Sequence, residues 1–156
     1  MIKLVASDLD GTLLHNYQQT VPKEIYDTIK ALHEKGIIFT AASGRQYANI
    51  RRLFAPLGFD IPYIAENGSM CVYKEEVLAT GLTPSKTIRH ILDALMEYRK
   101  IYHTGHCILS VKDTYYSDST DERFIDYMEN DMHNIVTYVP DLYAIKEPII
   151  KAAICD

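Results

Sequence analysis

The sequence predicts an α/β protein, a Rossmann-like parallel sheet core followed by an α+β unit, and three observations predict it. An apolar run from Lys3 to Ser7 stops abruptly at Asp8-Leu9-Asp10-Gly11-Thr12. A second run, Ile37 to Ala42, stops at Ser43-Gly44-Arg45, and a helical pattern separates the two. From about Thr83 the strand, helix, strand rhythm gives way to helices and strands in no repeated order, which is the texture of an α+β unit.

The first run is rich in β-formers and reads as a buried strand. It ends where an open α/β sheet keeps its ligands, at the carboxyl ends of parallel strands. Asp8 and Asp10 are two apart, so in extended backbone both side chains leave one face. Two converging carboxylates repel unless a cation sits between them. Mg²⁺ meets that need, because it takes one or two carboxylates and keeps positions for phosphate oxygens and water. Gly11 lets the chain turn tightly, and Thr12 adds a hydroxyl. A calcium loop of EF-hand type is disfavoured, since it needs a third acidic or amide ligand before its glycine.

After a polar connector, His15 to Gln19, the triplet Thr20-Val21-Pro22 announces a helix. Ile25, Ile29 and Leu32 share one face of it, and Gly36 closes it. Ile37 to Ala42 is the next strand, and Ile50, Leu53 and Leu57 pattern a second helix up to Gly58. A right-handed crossover brings both strand tips to the same edge, so Ser43 faces Asp8. A hydroxyl donor followed by a small residue can hold a phosphoryl oxygen and stabilise its charge during transfer. Phe59 to Ala65 leads as a third strand into Glu66-Asn67-Gly68, where Asn-Gly is also a common turn signal. A hairpin follows, Met70 to Tyr73 and Val77 to Ala79, around Lys74-Glu75-Glu76.

In the second part, Thr83-Pro84 caps a helix with Ile88, Ile91, Leu92 and Leu95 on one face. Strands fit His106 to Lys112, Thr114 to Ser117, Ile135 to Val139 and Ile149 to Cys155, with a helix over Asp121 to Met132. Tyr115 and Tyr116 are expected to pack, and Cys107 to lie in the core. Asp118, Asp121 and Glu122 suit a turn and a helix start. His103-Thr104-Gly105-His106 has metal-like spacing without the further ligands a zinc site needs.

Composition sets the remaining bounds. The 156 residues are 47% hydrophobic and 24% charged, those of an ordinary globular chain. A net charge of −5 without a basic run argues against nucleic acid and anionic membrane partners. No run has signal-peptide or membrane-spanning character, which makes the cytoplasm the expected compartment. Three scattered cysteines, Cys71, Cys107 and Cys155, argue against a disulfide framework.

Asp8-Leu9-Asp10-Gly11-Thr12-Leu13-Leu14 resembles the first signature of the haloacid dehalogenase (HAD) superfamily, whose members are mostly Mg²⁺-dependent phosphatases working through an aspartyl phosphate. The resemblance implies that Asp8 is nucleophile and metal ligand. It makes Asp10 the general acid and then base, and a metal ligand through its carbonyl. Ser43-Gly44-Arg45 resembles the second signature as it stands in the Cof-type branch, subfamily IIB, which makes Ser43 and Gly44 phosphate ligands and places Arg45 near the phosphate. Ala65-Glu66-Asn67-Gly68 resembles another recurring feature of that branch and puts Asn67 beside the substrate.

By the same resemblance residues 1–82 are the amino-terminal part of the catalytic core, and residues 83–156 the beginning of an inserted α+β cap. The implied substrate is a small phosphorylated metabolite. Two later signatures of the family, a lysine and an acidic Gly-Asp segment, are not found; Lys146 and Lys151 fall in the cap. The expectation is therefore an amino-terminal portion of a longer protein, weakly active or inactive alone, with an exposed apolar sheet edge open to self-association. The rival readings are a phosphomutase of the same fold and a noncatalytic receiver-like or binding module. A receiver carries its phosphoacceptor at a later strand tip, where this chain has Ser43.

Overall fold

The structure, a computed structural model, describes residues 1–15 and 18–156; Asn16 and Tyr17 of the expected connector lie outside the described residues. The chain divides into two compact units, Met1–Thr80 and Gly81–Asp156. Among the described residues no helix is long and apolar enough to cross a membrane.

The first unit is a five-stranded sheet in the order β1-β2-β3-β4-β5, formed by β1 (Leu4–Asp8), β2 (Ile38–Ala42), β3 (Tyr63–Ala65), β4 (Met70–Tyr73) and β5 (Glu76–Thr80). The first three strands run parallel, and the last two add an antiparallel hairpin. The crossovers are α1 (Lys23–Glu34) and α2 (Tyr47–Phe54). Because both step the sheet in the same direction, right-handed connections put both helices on one face.

Gly36 ends α1 at φ 69°, where its amide donates to the His33 carbonyl at 2.9 Å and that of Ile37 to the Leu32 carbonyl at 2.9 Å. This is a Schellman closure, and the left-handed position favours glycine. Ile50, Leu53 and Phe54 of α2 are buried, with Phe54 5.9 Å from Phe39 and 6.5 Å from Tyr63, ring centre to ring centre. Each such side chain contributes about 1.5–3 kcal/mol by leaving water. The Tyr26 hydroxyl donates to the Leu53 carbonyl at 2.6 Å and ties α1 to α2.

β1 departs from the buried strand read in the sequence. It is the edge of the sheet, and Leu4 is 53% exposed beside its register partner Ile38 at 50%. Local hydrophobicity marks a strand but not how many neighbours cover it.

The second unit is a four-stranded sheet in the order β8-β7-β6-β9, with β6 (His106–Ser110), β7 (Tyr115–Ser117), β8 (Val136–Tyr138) and β9 (Lys151–Cys155). Alternation on β6 splits its core. Cys107 and Leu109 meet Ile88, Leu92 and Leu95 of α3 (Ser85–Tyr102), whereas Ile108 and Tyr115 meet Phe124 and Met128. Burial pushes the Cys107 thiol up to about 12, as suits a core residue. Phe124 lies on α4 (Glu122–Asp126), which continues through one π turn, Tyr127–Asp131.

Asp121 caps α4, accepting from the amides of Arg123 at 2.8 Å and Phe124 at 3.2 Å, and these bonds hold its carboxyl below the usual range. Asp118 instead receives the Arg99 guanidinium, Nη1 at 2.6 Å and Nη2 at 2.8 Å. Thr83 does not cap α3. It binds β9's approach instead, its amide donating to the Ile149 carbonyl at 2.8 Å and its hydroxyl to that of Ile150 at 3.2 Å. His106 packs its ring on Phe124, with Nδ1 2.9 Å from Ser119 Oγ.

Candidate active site

The acidic tip follows from strand alternation and one tight turn. Leu9 is fully buried while Asp8 and Asp10 on either side are exposed, so the alternation outlasts the last ladder residue and both carboxylates leave on the solvent side. Three amides then converge on the Leu9 carbonyl, from Thr12 at 3.1 Å, Leu13 at 2.9 Å and Leu14 at 2.8 Å. Gly11 turns the chain at φ 83° and donates to the Leu14 carbonyl at 2.7 Å. A side chain at that left-handed position would cost about 1–2 kcal/mol.

Register brings the second tip alongside. Asp8 pairs with Ala42, and Ala42 with Ile64, so β1 and β2 end level and β3 runs one residue further, to Ala65. Ser43 is the next residue out, its amide donating to the Ile64 carbonyl at 2.8 Å. Its Oγ accepts from the Arg45 amide at 3.1 Å, which leaves the hydroxyl proton available to donate.

Arg45 reaches back to the first tip. Its buried guanidinium donates from Nε to Asp10 Oδ2 at 2.9 Å and from Nη2 to Asp10 Oδ1 at 2.7 Å. Nη1 donates to Gln19 Oε1 at 2.9 Å and Asn49 Oδ1 at 3.2 Å. A fork on both carboxylate oxygens is among the stronger hydrogen-bonded pairs. Sequence reasoning missed Gln19 and Asn49. Asn49 stands four residues after Arg45 at the start of a helix, a spacing that could have signalled it; Gln19 gives no such sign.

The third tip carries three successive left-handed residues, Glu66 at φ 53°, Asn67 at 58° and Gly68 at 90°. Strain of this kind collects at functional sites. The Asn67 amide donates to the Ser43 carbonyl at 3.2 Å and the Glu66 amide to that of Arg45 at 3.2 Å. Asn67 also lies over Gly44, where a Cβ would fall 2.4 Å from Asn67 Oδ1. Ser43, Gly44, Arg45 and Asn67 thus form one cluster of loops. Asp10 joins it through Arg45, and Asp8 through the strand register.

Among the described residues no group of three or more His, Cys, Asp or Glu side chains stands together as a ready metal cage. The donors left at the first tip are the exposed Asp8 carboxylate and the backbone carbonyl of Asp10, since both side-chain oxygens of Asp10 accept from Arg45. Such a set suits a hard cation that takes one or two protein ligands and completes its shell with phosphate oxygens and water, as Mg²⁺ does.

A family model described as haloacid dehalogenase-like hydrolase matches residues 5–156. Phosphoglycolate phosphatase 1 of Saccharolobus solfataricus is 39% identical over 77 residues, which are 49% of this chain and 34% of that protein. The 5-amino-6-(5-phospho-D-ribitylamino)uracil phosphatase of Escherichia coli is 27% identical over 95 residues, 61% of this chain and 35% of that protein. The solved structure of a haloacid dehalogenase-like hydrolase from Bacillus subtilis superimposes with a TM-score of 0.77 at 21% identity, covering 95% of this chain and 59% of that one. The matched stretch is therefore about a third of each curated relative and somewhat over half of the solved structure.

Proposed function

The chain belongs to the haloacid dehalogenase-like hydrolases, and from that premise we propose that its three strand tips serve Mg²⁺-dependent hydrolysis of a small phosphate monoester through an aspartyl phosphate on Asp8. The observation that carries the reading is the level ending of β1 and β2, which puts an exposed carboxylate and a hydroxyl donor on neighbouring parallel strands.

In the proposed reaction an Asp8 carboxylate oxygen bonds to phosphorus as the bond to the leaving alkoxide breaks. Asp10, in its protonated form, gives that alkoxide a proton. Water then attacks the phosphorus, Asp10 takes a proton from it, and the Asp8 carboxylate leaves unchanged. Covalent catalysis of this kind divides one hard displacement into two easier ones. Ser43 donates its hydroxyl proton to a phosphoryl oxygen, and Asn67 contacts the substrate beside it. Asp8 and the Asp10 carbonyl would hold Mg²⁺, which supplies charge neutralisation for the phosphoryl group when bound.

Arg45 has a specific part in this scheme. The fork orients the Asp10 carboxyl, whose oxygens each keep a further lone pair for a proton while they accept from Arg45. The remaining bonds from Arg45 to Gln19 and Asn49 keep the guanidinium in place meanwhile.

The unit Gly81–Asp156 is proposed to be the substrate-selecting cap of the family. Relatives named for phosphoglycolate and for a phosphoribitylamino-uracil make small phosphorylated metabolites the proposed substrates. Free cysteines at positions 71, 107 and 155 are in keeping with a cytoplasmic setting. The test is ¹⁹F NMR of beryllium fluoride, which mimics the aspartyl phosphate. A bound signal that requires Mg²⁺ and vanishes in Asp8→Asn is expected; a signal indifferent to either change overturns the reading.

A further inference from the structure

Asn49 is an amide on a helix whose buried side chains are otherwise apolar. Ile50, Leu53 and Phe54 of α2 are buried, and Asn49 lies as deep as they do, at 1% exposure. Asparagine is a weak helix former, and an amide taken out of water is costly unless its polar atoms are answered. Its Oδ1 accepts from Arg45 Nη1 at 3.2 Å. Gln19, from the segment ahead of α1, brings Oε1 to within 2.9 Å of the same nitrogen.

Neither amide carries charge, so neither balances the guanidinium. Asp10 does that. What the two amides add is direction. A guanidinium is planar and presents five N–H donors in fixed directions, with two edges able to grip a carboxylate. With Nη1 spent on Gln19 and Asn49, the edge formed by Nε and Nη2 is the one left, and Asp10 takes it at 2.9 and 2.7 Å. If Nη1 lost its acceptors, the edge formed by Nη1 and Nη2 would compete for the same carboxylate, and a fork made there would turn Asp10 to another angle.

Asp10 cannot set that angle itself, because its side chain is half-exposed while the guanidinium is almost wholly buried. Four of the five donors of Arg45 point at oxygens of Asp10, Gln19 and Asn49. Arg45 therefore holds the acid and has little left with which to bind a phosphate.

We propose that Asn49 and Gln19 are positioning residues for the hydrolysis: they lock the plane of the Arg45 guanidinium, and through it they aim the Asp10 carboxyl. The proposal rests on the reading of Asp10 as general acid, and deepens it by naming what fixes the acid's direction.

The experiment is NMR of the chain at neutral pH without metal or substrate, following the Asp10 carboxyl carbon and the Arg45 Nε–Hε group. Asn49→Leu and Gln19→Met keep the size of the side chain and remove the acceptor oxygen. Each is expected to move the Asp10 signal toward its position in Arg45→Lys, and to quicken exchange of the Arg45 Hε with water about two- to tenfold, the worth of one hydrogen bond. The backbone amides of Leu53 and Phe54 are expected to exchange as in the parent, which a merely structural loss would not allow. Made in an Arg45→Lys protein, the same substitutions are expected to leave the Asp10 signal where Arg45→Lys alone puts it. Gln19 is only half-buried, so Gln19→Met carries the test if Asn49→Leu does not fold. The proposal falls if the Asp10 signal stays still, if it moves equally in the Arg45→Lys protein, or if the α2 amides quicken together with the Arg45 Hε. Failure of the phosphatase reading would show instead in the beryllium fluoride titration, which leaves these signals of the free chain untouched.

Discussion

Arg45 holds the carboxylate of Asp10 across two loops by a two-pronged hydrogen bond, 2.9 Å to one oxygen and 2.7 Å to the other. The guanidinium is almost wholly buried while the Asp10 side chain is 52% exposed, so the arginine is the fixed member of the pair and the acid the movable one. Arg45→Lys keeps the charge and loses the fork. In the proposed enzyme kcat is expected to fall about ten- to hundredfold, the equivalent of one or two charged hydrogen bonds, with a smaller change in KM. Steady-state kinetics on a substrate ester measures the split.

Asp10→Asn is expected to lower kcat by about 10²–10⁴, the usual worth of a positioned acid or base, and most steeply for esters of poorly acidic alcohols. Asp8→Asn is expected to remove the phosphoenzyme itself. Acid quench of the protein with radiolabelled substrate, followed by counting of protein-bound label, separates the two.

Gly44→Ala is expected to lower stability by about 1–3 kcal/mol, the ordinary cost of overpacking, because the new methyl would collide with the Asn67 amide. Asn67→Gly keeps the left-handed backbone and removes the obstacle, so the double variant should recover part of the loss. Urea unfolding of the four proteins in a double-mutant cycle gives the coupling.

Alkaline stability should report the buried thiol. Burial raises Cys107 from 9.0 to about 12 and Tyr63 from 10.0 to about 12. Both fold preferentially in the protonated form, so their contributions are intact below about pH 9. That of Cys107 declines from pH 9 toward 12 and that of Tyr63 from pH 10. Each proton lost only by the unfolded chain costs about 1.4 kcal/mol per pH unit in that window. Cys107→Ala should therefore flatten the decline between pH 9 and 10, as measured by denaturant midpoints across that range.

What could be read in the sequence was what local chemistry determines. The tip at Asp8 to Leu14 stands out because a strand, two acids and a glycine meet there, and the end of α1 because Gly36 follows the last helical turn. The exposure of β1 could not be read from its own residues, since it depends on which strands flank it; only the later signatures not found pointed to an exposed apolar edge. Nor could the seat of Asn67 over Gly44, which is set by the register of β3 on β2 and not by either segment. Thr83 followed by proline resembles a helix cap, but its hydrogen bonds go to the two residues that lead into β9, the farther one 67 positions away. Glu66 in a left-handed conformation contradicts its intrinsic preference, and only the tertiary context of the turn imposes it.

Because β1 and β2 finish level and β3 one residue beyond them, their lengths work together as a ruler. Two residues added to β2 alone would carry Ser43 roughly 6.6 Å beyond Asp8, at the usual rise per strand residue, and a single addition would turn it to the opposite side of the sheet. The β4–β5 hairpin carries no such restriction. Insertions tolerated there and refused within β1 or β2 would mark the phase of the strands, more than their composition, as the quantity under selection.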